Sequence, residues 1–155
     1  MAFDVTAIGA LYAQVVSAAE KLAVFEVVTQ HEPKAAPQSL PALAVWFASF
    51  GPARGASGLD ATAARVEFRA RAYLSALSKP ENATDPKLID VTSQLIGALS
   101  GGFTLGGEVM VTDLLGGWGE PLSATAGYLQ HDDKEFRVAE LVIPIVYDNA
   151  WQQEA

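Results

Sequence analysis

The side chains of this sequence that could do acid–base or metal chemistry are few and lie far apart. Its two histidines, His31 and His131, both fall in polar segments that predict solvated turns. His131 precedes Asp132 and Asp133, but a metal site needs three or four converging ligands, so this group would have to recruit a distant partner. Two adjacent carboxylates in a turn diverge and do not form an acid–base pair across a cleft. These residues therefore predict neither a metal site nor a pair of catalytic acids.

Nucleophiles and phosphate-binding loops are also missing in any recognisable sequence context. The chain has no cysteine, which excludes disulfides, thiolate chemistry and cysteine metal ligands. No serine stands in the strand-to-helix context of a hydrolase nucleophile, and Ser57 falls in a loop. The glycine clusters at residues 101–102, 106–107 and 116–119 lack the Lys-Ser or Lys-Thr of a phosphate-binding loop, and they predict turns and bulges. We therefore expect no enzymatic activity and no cofactor.

Size and composition predict one acidic domain. The chain has 155 residues, 50% of them apolar, which is enough to bury one core. Its formal net charge of −8, from 18 acidic and 10 basic side chains, argues against tight binding of nucleic acid. We recognise no signal peptide and no apolar run long enough to span a membrane, so we expect folding in a cytoplasm without a membrane partner. With no repeat or linker, residues 1–155 are predicted to form a single domain.

The most informative pattern is a predicted hairpin over residues 43–74, with the loop 51–58 between its arms. The second arm has a period of two residues, with small and apolar side chains on one face. Its other face carries Arg65, Glu67, Arg69, Arg71 and Tyr73. The first arm, residues 44–50, is apolar on both faces, so we expect its own fold or a neighbouring copy to cover both sides. A compact domain needs no hairpin of this length, which suggests that part of it reaches another subunit.

Two amphipathic helices are predicted from apolar residues at helical spacing. One covers residues 4–21. The other is expected to be capped by Asp85, with Pro86 at its first position, and to end at the glycine pair 101–102. Its buried stripe is predicted to consist of Leu88, Val91, Leu95 and Leu99.

The remaining strands complete the predicted fold. They are expected at residues 24–30, 105–111, 122–128 and 136–147. Gly106 and Gly107 predict a bend or bulge in the second of these strands. Pro144 predicts that the last one is an edge strand or is bulged there. The order of elements predicts an α+β fold, with a mixed, mostly antiparallel sheet that has long hairpins and helices packed on it.

Basic, apolar and aromatic side chains outside this core are candidates for subunit contacts. Trp118, in the glycine-rich loop 113–121, and Trp151 are either contacts of this kind or are docked on their own chain. The arginine stripe is either a solvated face or a contact with an acidic surface. We prefer the contact, because this is the only positive stripe on an acidic chain. The full predicted interface set is Arg54, Arg65, Arg69, Arg71, Leu114, Leu115, Trp118 and Trp151.

Short motifs along nearly the whole chain carry a family resemblance. They are HEPKAAP at residues 31–37, VW at 45–46, GLDATAAR at 58–65, DPKL at 85–88, FTLGG at 103–107, DLLG at 113–116, PLSA at 121–124, AGYL at 126–129 and VYDNAW at 146–151. In this order, and as a set, they resemble the tail terminator proteins of long-tailed, siphovirus-type phages of actinobacteria.

The resemblance implies a small structural α+β protein that forms a ring, expected to be a hexamer, on the end of the tail tube. Such a ring stops polymerisation of the tail tube protein and offers a surface to the head-completion or connector protein. It implies no catalytic, metal or cofactor residues, and a place in the virion tail near the neck after assembly in the host cytoplasm. DNA is expected to pass through the lumen without specific binding, which suits an acidic chain because a basic lumen would hold DNA.

Two other functions remain open from the residues themselves. One is a small-ligand-binding or enzymatic α+β domain with its pocket near Trp118 and Tyr128. The other is a general protein-interaction adaptor.

Overall fold

Two helices and seven strands make up the part of the chain that the computed structural model describes, which is residues 5–53, 61–77, 80–100, 103–105, 108–117 and 119–152. The elements in chain order are α1 (Val5–Lys21), β1 (Val27–Thr29), β2 (Ala42–Pro52), β3 (Ala61–Ser75), α2 (Thr84–Leu99), β4 (Phe103–Leu105), β5 (Glu108–Thr112), β6 (Ser123–His131) and β7 (Lys134–Gln152). The predicted α+β class is confirmed, and so is the long hairpin, whose arms are β2 and β3.

The seven strands form one sheet in the order β1-β2-β3-β7-β5-β4, and β6 pairs with the first part of β7. β1 runs parallel to β2 over three residues, and all other pairs are antiparallel. The sheet is therefore mostly antiparallel, as predicted. The segment 31–41 between β1 and β2 is irregular, in keeping with its three prolines.

β7 is a central strand of the sheet, so the edge position predicted from Pro144 is wrong. β3 lies along one side of β7. On the other side, β7 pairs with β6 as far as Val142 and with β5 from Ile145 onward. Pro144 falls at the junction of these two partners, where no ladder bond requires its missing N–H. Its carbonyl accepts a hydrogen bond from the backbone N–H of Asp113 at 2.9 Å. The change of partner strand is what admits a proline to the middle of the sheet.

The hydrophobic core lies between one face of the sheet and the two helices, and we call this face the helix side. α1 contributes Leu11, Val15, Val16 and Ala19, and α2 contributes Leu95 and Leu99. The sheet contributes Leu43, Val45, Val66, Phe68, Ala70, Ala72, Leu141, Ile143 and Ile145. The period of two in β3 and the predicted stripe of α2 are thus confirmed, since the alternating apolar residues of β3 from Ala64 to Leu74 are buried, as are Leu88, Val91, Leu95 and Leu99 of α2.

The fold of one chain covers β2 over only part of its length. Residues 42–45 are buried, whereas Phe47 and Phe50 expose 45% and 48% of their surface. β1 is short and pairs with β2 only as far as Ala44. Residues 45–52, the outer part of β2, therefore pair with β3 and with no other described strand. Coverage of both faces of this arm by its own fold is therefore incomplete, and coverage by a neighbouring copy stays a prediction.

Two local expectations are corrected by the structure. The segment predicted as one bent strand is two strands, β4 and β5, which pair antiparallel with Leu105 opposite Glu108. Residues 106–107 between them, on which the predicted bend or bulge falls, lie outside the described residues. α2 begins at Thr84 after a single 3-10 turn, so Asp85 lies within the first turn and does not cap the helix. There its carboxylate is 2.9 Å from Nε of Arg137.

Tyr12 joins α1 to the sheet by both ring and hydroxyl. Its hydroxyl donates a hydrogen bond to the carbonyl of Val45, and its ring stacks on Phe68 with 5.2 Å between centroids. Burial raises the pKa of the Tyr12 phenol above its ordinary value of 10.0, because the phenolate would be poorly solvated there.

We expect Leu95→Ala to lower the free energy of unfolding by about 2–5 kcal/mol, because Leu95 is buried and its truncation leaves a cavity. Ile89→Ala on the same helix is the matched control. Ile89 is exposed, so its replacement should change stability by no more than about 0.5 kcal/mol. Urea denaturation of the two variants measures the difference. Equal losses would contradict the assigned helix face.

Tyr12→Phe should cost about 1 kcal/mol at neutral pH, because the Val45 carbonyl loses its donor. A raised folded-state pKa means that the contribution of the Tyr12 hydroxyl is complete below the unfolded pKa of about 10 and is lost as pH rises through the folded pKa. The gap in stability between wild type and Tyr12→Phe should therefore narrow above about pH 10. Urea midpoints of both proteins at increasing pH test this, and a constant gap would contradict it.

Candidate assembly surface

The sheet face opposite the helices carries a partly buried row of charges on β3. Nη1 of Arg65 lies 3.2 Å from Oε1 of Glu67, and Nε of Arg69 donates to Oε2 of Glu67 at 2.9 Å. Glu67 is buried, and the side chain of Arg65 is largely so. Alternation along β3 places all three side chains on the same face. A solvated stripe, the simpler expectation from the sequence, is therefore wrong for Arg65 and Glu67.

Asp113 connects this row to the loop that joins β5 to β6. Its buried carboxylate lies 3.4 Å from Nε of Arg65 through Oδ2, and Oδ1 accepts the backbone N–H of Gly117 at 2.8 Å. The Asp113 carbonyl accepts the N–H of Leu122 at 3.3 Å, which ties the two ends of the loop together. Arg65 also donates through Nη2 to the carbonyl of Glu120. Arg65 and Asp113 thus clamp residues 113–122 to the sheet.

Two glycines allow this loop to close over Arg65. Gly116 has a φ of +72°, which L side chains rarely adopt, and a Cβ there would lie 2.6 Å from the carbonyl oxygen of Gly119. A Cβ on Gly119 would lie 2.5 Å from the guanidinium carbon of Arg65. The predicted turn at Gly116 is confirmed. The contact of Gly119 with Arg65 was not predicted.

The clamped loop holds two leucines outward. Leu114 exposes 44% of its surface and Leu115 exposes 94%. Leu115 therefore contributes almost nothing to the core, although leucine is among the most apolar side chains. An apolar pair held outward on a loop with fixed ends is typical of a contact with another protein.

Arg71 forms a separate group further along β3. It donates to Oε1 of Glu140 through Nε at 2.9 Å and through Nη2 at 2.6 Å, and its Nη1 lies 3.2 Å from the Tyr73 hydroxyl. Its guanidinium also lies 5.6 Å from the ring centroid of Trp46. Burial by itself lowers the pKa of Arg71, but the hydrogen bonds to Tyr73 and Glu140 outweigh this, and the pKa is raised above its ordinary value.

The three arginines do not form a net positive surface. Glu67, Asp113, Glu120 and Glu140 lie within ion-pair distance of them, so four carboxylates face three guanidinium groups. Sequence alone did not reveal this balance, because Asp113, Glu120 and Glu140 come from other segments of the chain. The expectation that a positive stripe attracts an acidic neighbour therefore loses its electrostatic basis, and contact with a neighbour through these arginines stays a prediction.

The structure brings together only part of the predicted interface set. Arg65 and Arg69 lie beside the loop that carries Leu114 and Leu115, and Arg71 lies apart from this loop. Arg54 and Trp118 lie outside the described residues, as does the side chain of Trp151, whose backbone pairs with Thr62.

An apolar cavity was missed by the sequence reasoning. It has a volume of about 270 Å³ and lies between the irregular segment 31–41 and strands β1 and β2. Its lining includes Val27, Ala42, Ala44 and Tyr73, with His31 and Lys34 also contributing. Tyr128, where a pocket was predicted, lines a smaller groove of about 160 Å³ on β6.

Other chemistry has little support in the described part of the chain. No three His, Asp or Glu side chains converge as a metal site in the described residues. His31 is exposed, and His131 lies 3.7 Å from Asp132 at the β6–β7 turn. Within the same residues, no helix is long and apolar enough to cross a membrane.

Comparisons with known proteins add no relatives to this picture. The sequence matches no model of a known protein family and has no significant match among curated proteins. Support for a function therefore comes from the motifs and the geometry of this chain.

We expect Arg65→Met to lower the free energy of unfolding by about 3 kcal/mol, because the buried carboxylates of Glu67 and Asp113 each lose an ion pair, while Glu67 keeps Arg69 and Asp113 keeps the N–H of Gly117. Arg71→Met is the matched control on the same strand face. Its partner Glu140 is mostly exposed, so the loss should be about 1 kcal/mol. Chemical denaturation compares the two, and a loss from Arg65→Met no larger than that of the control would contradict the clamp.

Proposed function

We propose that this protein is a structural tail terminator of a long-tailed actinobacterial phage. In this role it forms a ring, expected to be a hexamer, that caps the tail tube, stops its polymerisation and provides the attachment surface for the head-completion protein. The observation that carries the proposal is the loop 113–121, in which buried charges hold an exposed leucine pair away from the core.

This loop links the sequence resemblance to the geometry. The motif DLLG at residues 113–116 is one of the set that resembles tail terminators. Each of its positions has a distinct role in the structure. Asp113 binds Arg65 and Gly117, Leu114 and Leu115 face outward, and Gly116 supplies the positive φ. A loop built in this way supports contact with a protein partner better than catalysis, since its polar groups are used within the loop.

The proposal divides the predicted interface residues into two roles. Arg65 and Arg69 hold the loop through Glu67, Asp113 and Glu120, and they act on assembly indirectly. Leu114 and Leu115 make the contact itself, with the tube protein or a neighbouring subunit. Arg54, Arg71, Trp118 and Trp151 remain proposed contacts at other points of the ring.

The partners follow from this role. They are further copies of the chain, the tail tube protein and the head-completion or connector protein. DNA passes through the lumen without specific binding, as the net charge of −8 favours. The protein is assembled in the host cytoplasm and resides in the virion tail near the neck.

A small-ligand-binding domain is the second candidate, because of the apolar cavity beneath residues 31–41. Its volume of about 270 Å³ is close to the lower end of ligand-binding pockets. Light scattering after size-exclusion chromatography separates the two functions. A ring former gives a closed oligomer alone or on addition of tube protein, whereas a monomer at all concentrations that binds a metabolite would favour the second function.

We expect Leu114→Ser combined with Leu115→Ser to leave the fold intact and to abolish capping of tube polymers. Both side chains are exposed, so their loss costs little stability while the contact loses its apolar surface. Leu77→Ser is the control, because Leu77 is also an exposed leucine and lies in a different segment of the chain. Circular dichroism measures the fold, and the length of tubes in electron micrographs measures capping.

Capping at the normal level by the Leu114/Leu115 variant would remove this loop from the contact. Loss of capping by Leu77→Ser to the same extent would show that the effect is not specific to the loop.

A further inference from the structure

The two long strands with an open side carry no charged residue. β2 spans eleven residues and β6 spans nine, and neither contains Asp, Glu, Lys or Arg. The interior strands β3 and β7 do contain them. Exposed strand edges in soluble proteins usually carry charges that prevent pairing with another chain. β2 has a register shift between Phe47 and Ser49 and a terminal proline, but neither strand is protected by charge.

At every second residue of β6, the backbone N–H and C=O groups face away from β7. His131 pairs with Lys134 across the two-residue turn formed by Asp132 and Asp133, both of which have positive φ. The two residues that flank such a turn form backbone hydrogen bonds with each other. From there along the strand, successive residues direct their N–H and C=O groups alternately toward the partner strand and away from it. The N–H and C=O groups directed outward are therefore those of Ala124, Ala126, Tyr128 and Gln130. In the described part of the chain, no strand pairs with this side of β6.

The same alternation, followed across β7 and β3, gives the direction of the groups on β2. The backbone N–H and C=O groups of Trp46 face β3, and those of Val45 and Phe47 face away from β3. The hydrogen bond from the Tyr12 hydroxyl to the Val45 carbonyl agrees with this assignment. Beyond Ala44, no described strand pairs with the outer side of β2.

The side chains at the two open edges also match. Phe47 contacts Phe68 of the core, with 6.3 Å between ring centroids, so its side chain lies on the helix side. Tyr128 pairs in register with Arg137, which bonds Asp85 of α2, so Tyr128 lies on the helix side as well. Both rings are exposed. Joining the two edges in one continuous sheet would place these aromatic side chains on the same face.

We propose that β6 of one copy of this chain pairs with the outer part of β2 of the next copy. Successive antiparallel pairs make β2 and β6 run in opposite directions, so copies in equivalent orientations would join through an antiparallel pair. The contact uses two different edges and is heterologous, which generates a ring where the rotation closes. The closed ring rests on the proposed function, whereas the edge pairing itself requires only a second copy of the chain.

Lysine substitutions at the two edges test the contact in the full-length protein. Ala48→Lys with Ser49→Lys blocks β2, and Ala126→Lys blocks β6, all at exposed positions. Added lysines reduce the net charge of −8, so general repulsion between copies falls and cannot explain a loss of association. Ser93→Lys, on the exposed side of α2, is the matched control. A second β6 variant, Ala126→Pro, removes an outward N–H without adding charge.

Circular dichroism and sedimentation velocity measure fold and association. We expect folded monomers from each blocked variant and from Ala126→Pro, and the wild-type oligomer from Ser93→Lys. An equimolar mixture of the β2-blocked and β6-blocked variants should form a one-to-one dimer, because one intact β2 and one intact β6 remain in it. A mixture that stays monomeric at the concentration where wild type associates would overturn the proposed pairing.

Failure of the edge contact is distinguishable from failure of the proposed function. Blocked variants that keep the wild-type oligomer would overturn the edge contact and leave a ring with another interface. A wild-type protein that stays monomeric at all concentrations, with and without tube protein, would overturn both.

Discussion

The antiparallel pairing of β3 with β7 is the constraint on which the rest of the structure depends. It aligns the apolar faces of both strands toward α1 and α2, where Phe68 and Ile143 lie opposite each other in the core. A shift of one residue would turn the buried side chains outward and place Arg65 and Glu67 in the core. The same register therefore determines both the hydrophobic core and the polar face that carries the candidate site.

The change of partner along β7 positions the candidate site. β6 and β5 meet beside Pro144, and the chain leaves the sheet there as the loop after Asp113. A buried carboxylate at such a point needs a partner, because an uncompensated charge in the interior costs several kcal/mol, on the order of 3–5. Arg65 on the adjacent β3 meets this need and at the same time holds Glu120. Ion pairs and hydrogen bonds therefore tie the loop to the sheet, since its exposed leucines do not pack in the core.

The proposed assembly uses surfaces that a single chain leaves incomplete. The outer part of β2 exposes Phe47 and Phe50, and the Leu114–Leu115 pair is exposed at the clamped loop. Apolar surface of this kind is stabilised by contact with another protein, while the paired arginines next to the loop maintain its shape. Strand pairing between copies and a leucine contact with the tube are compatible, because they involve different parts of the chain.

The sequence by itself determined the local pattern of this protein. The period of two in β3 and the helical stripe of α2, from Leu88 to Leu99, predicted which residues are buried, because burial of a single face imposes those periods on any sequence. The absence of cysteine and the dispersed histidines were likewise readable without a structure.

Only the tertiary structure decided which distant residues meet. Asp113, Glu120 and Glu140 neutralise an arginine stripe that looks positive in the sequence, because their partners lie on β3 and sequence periodicity carries no information about contacts between segments. The central position of Pro144 was mispredicted for the same reason. Proline is usually excluded from central strands because it has no N–H to donate, but the tertiary fold places Pro144 between the ends of two partner strands, where no donor is needed. The open edges of β2 and β6 became visible only with the strand order, because exposure of an edge is a property of the sheet and not of the strand.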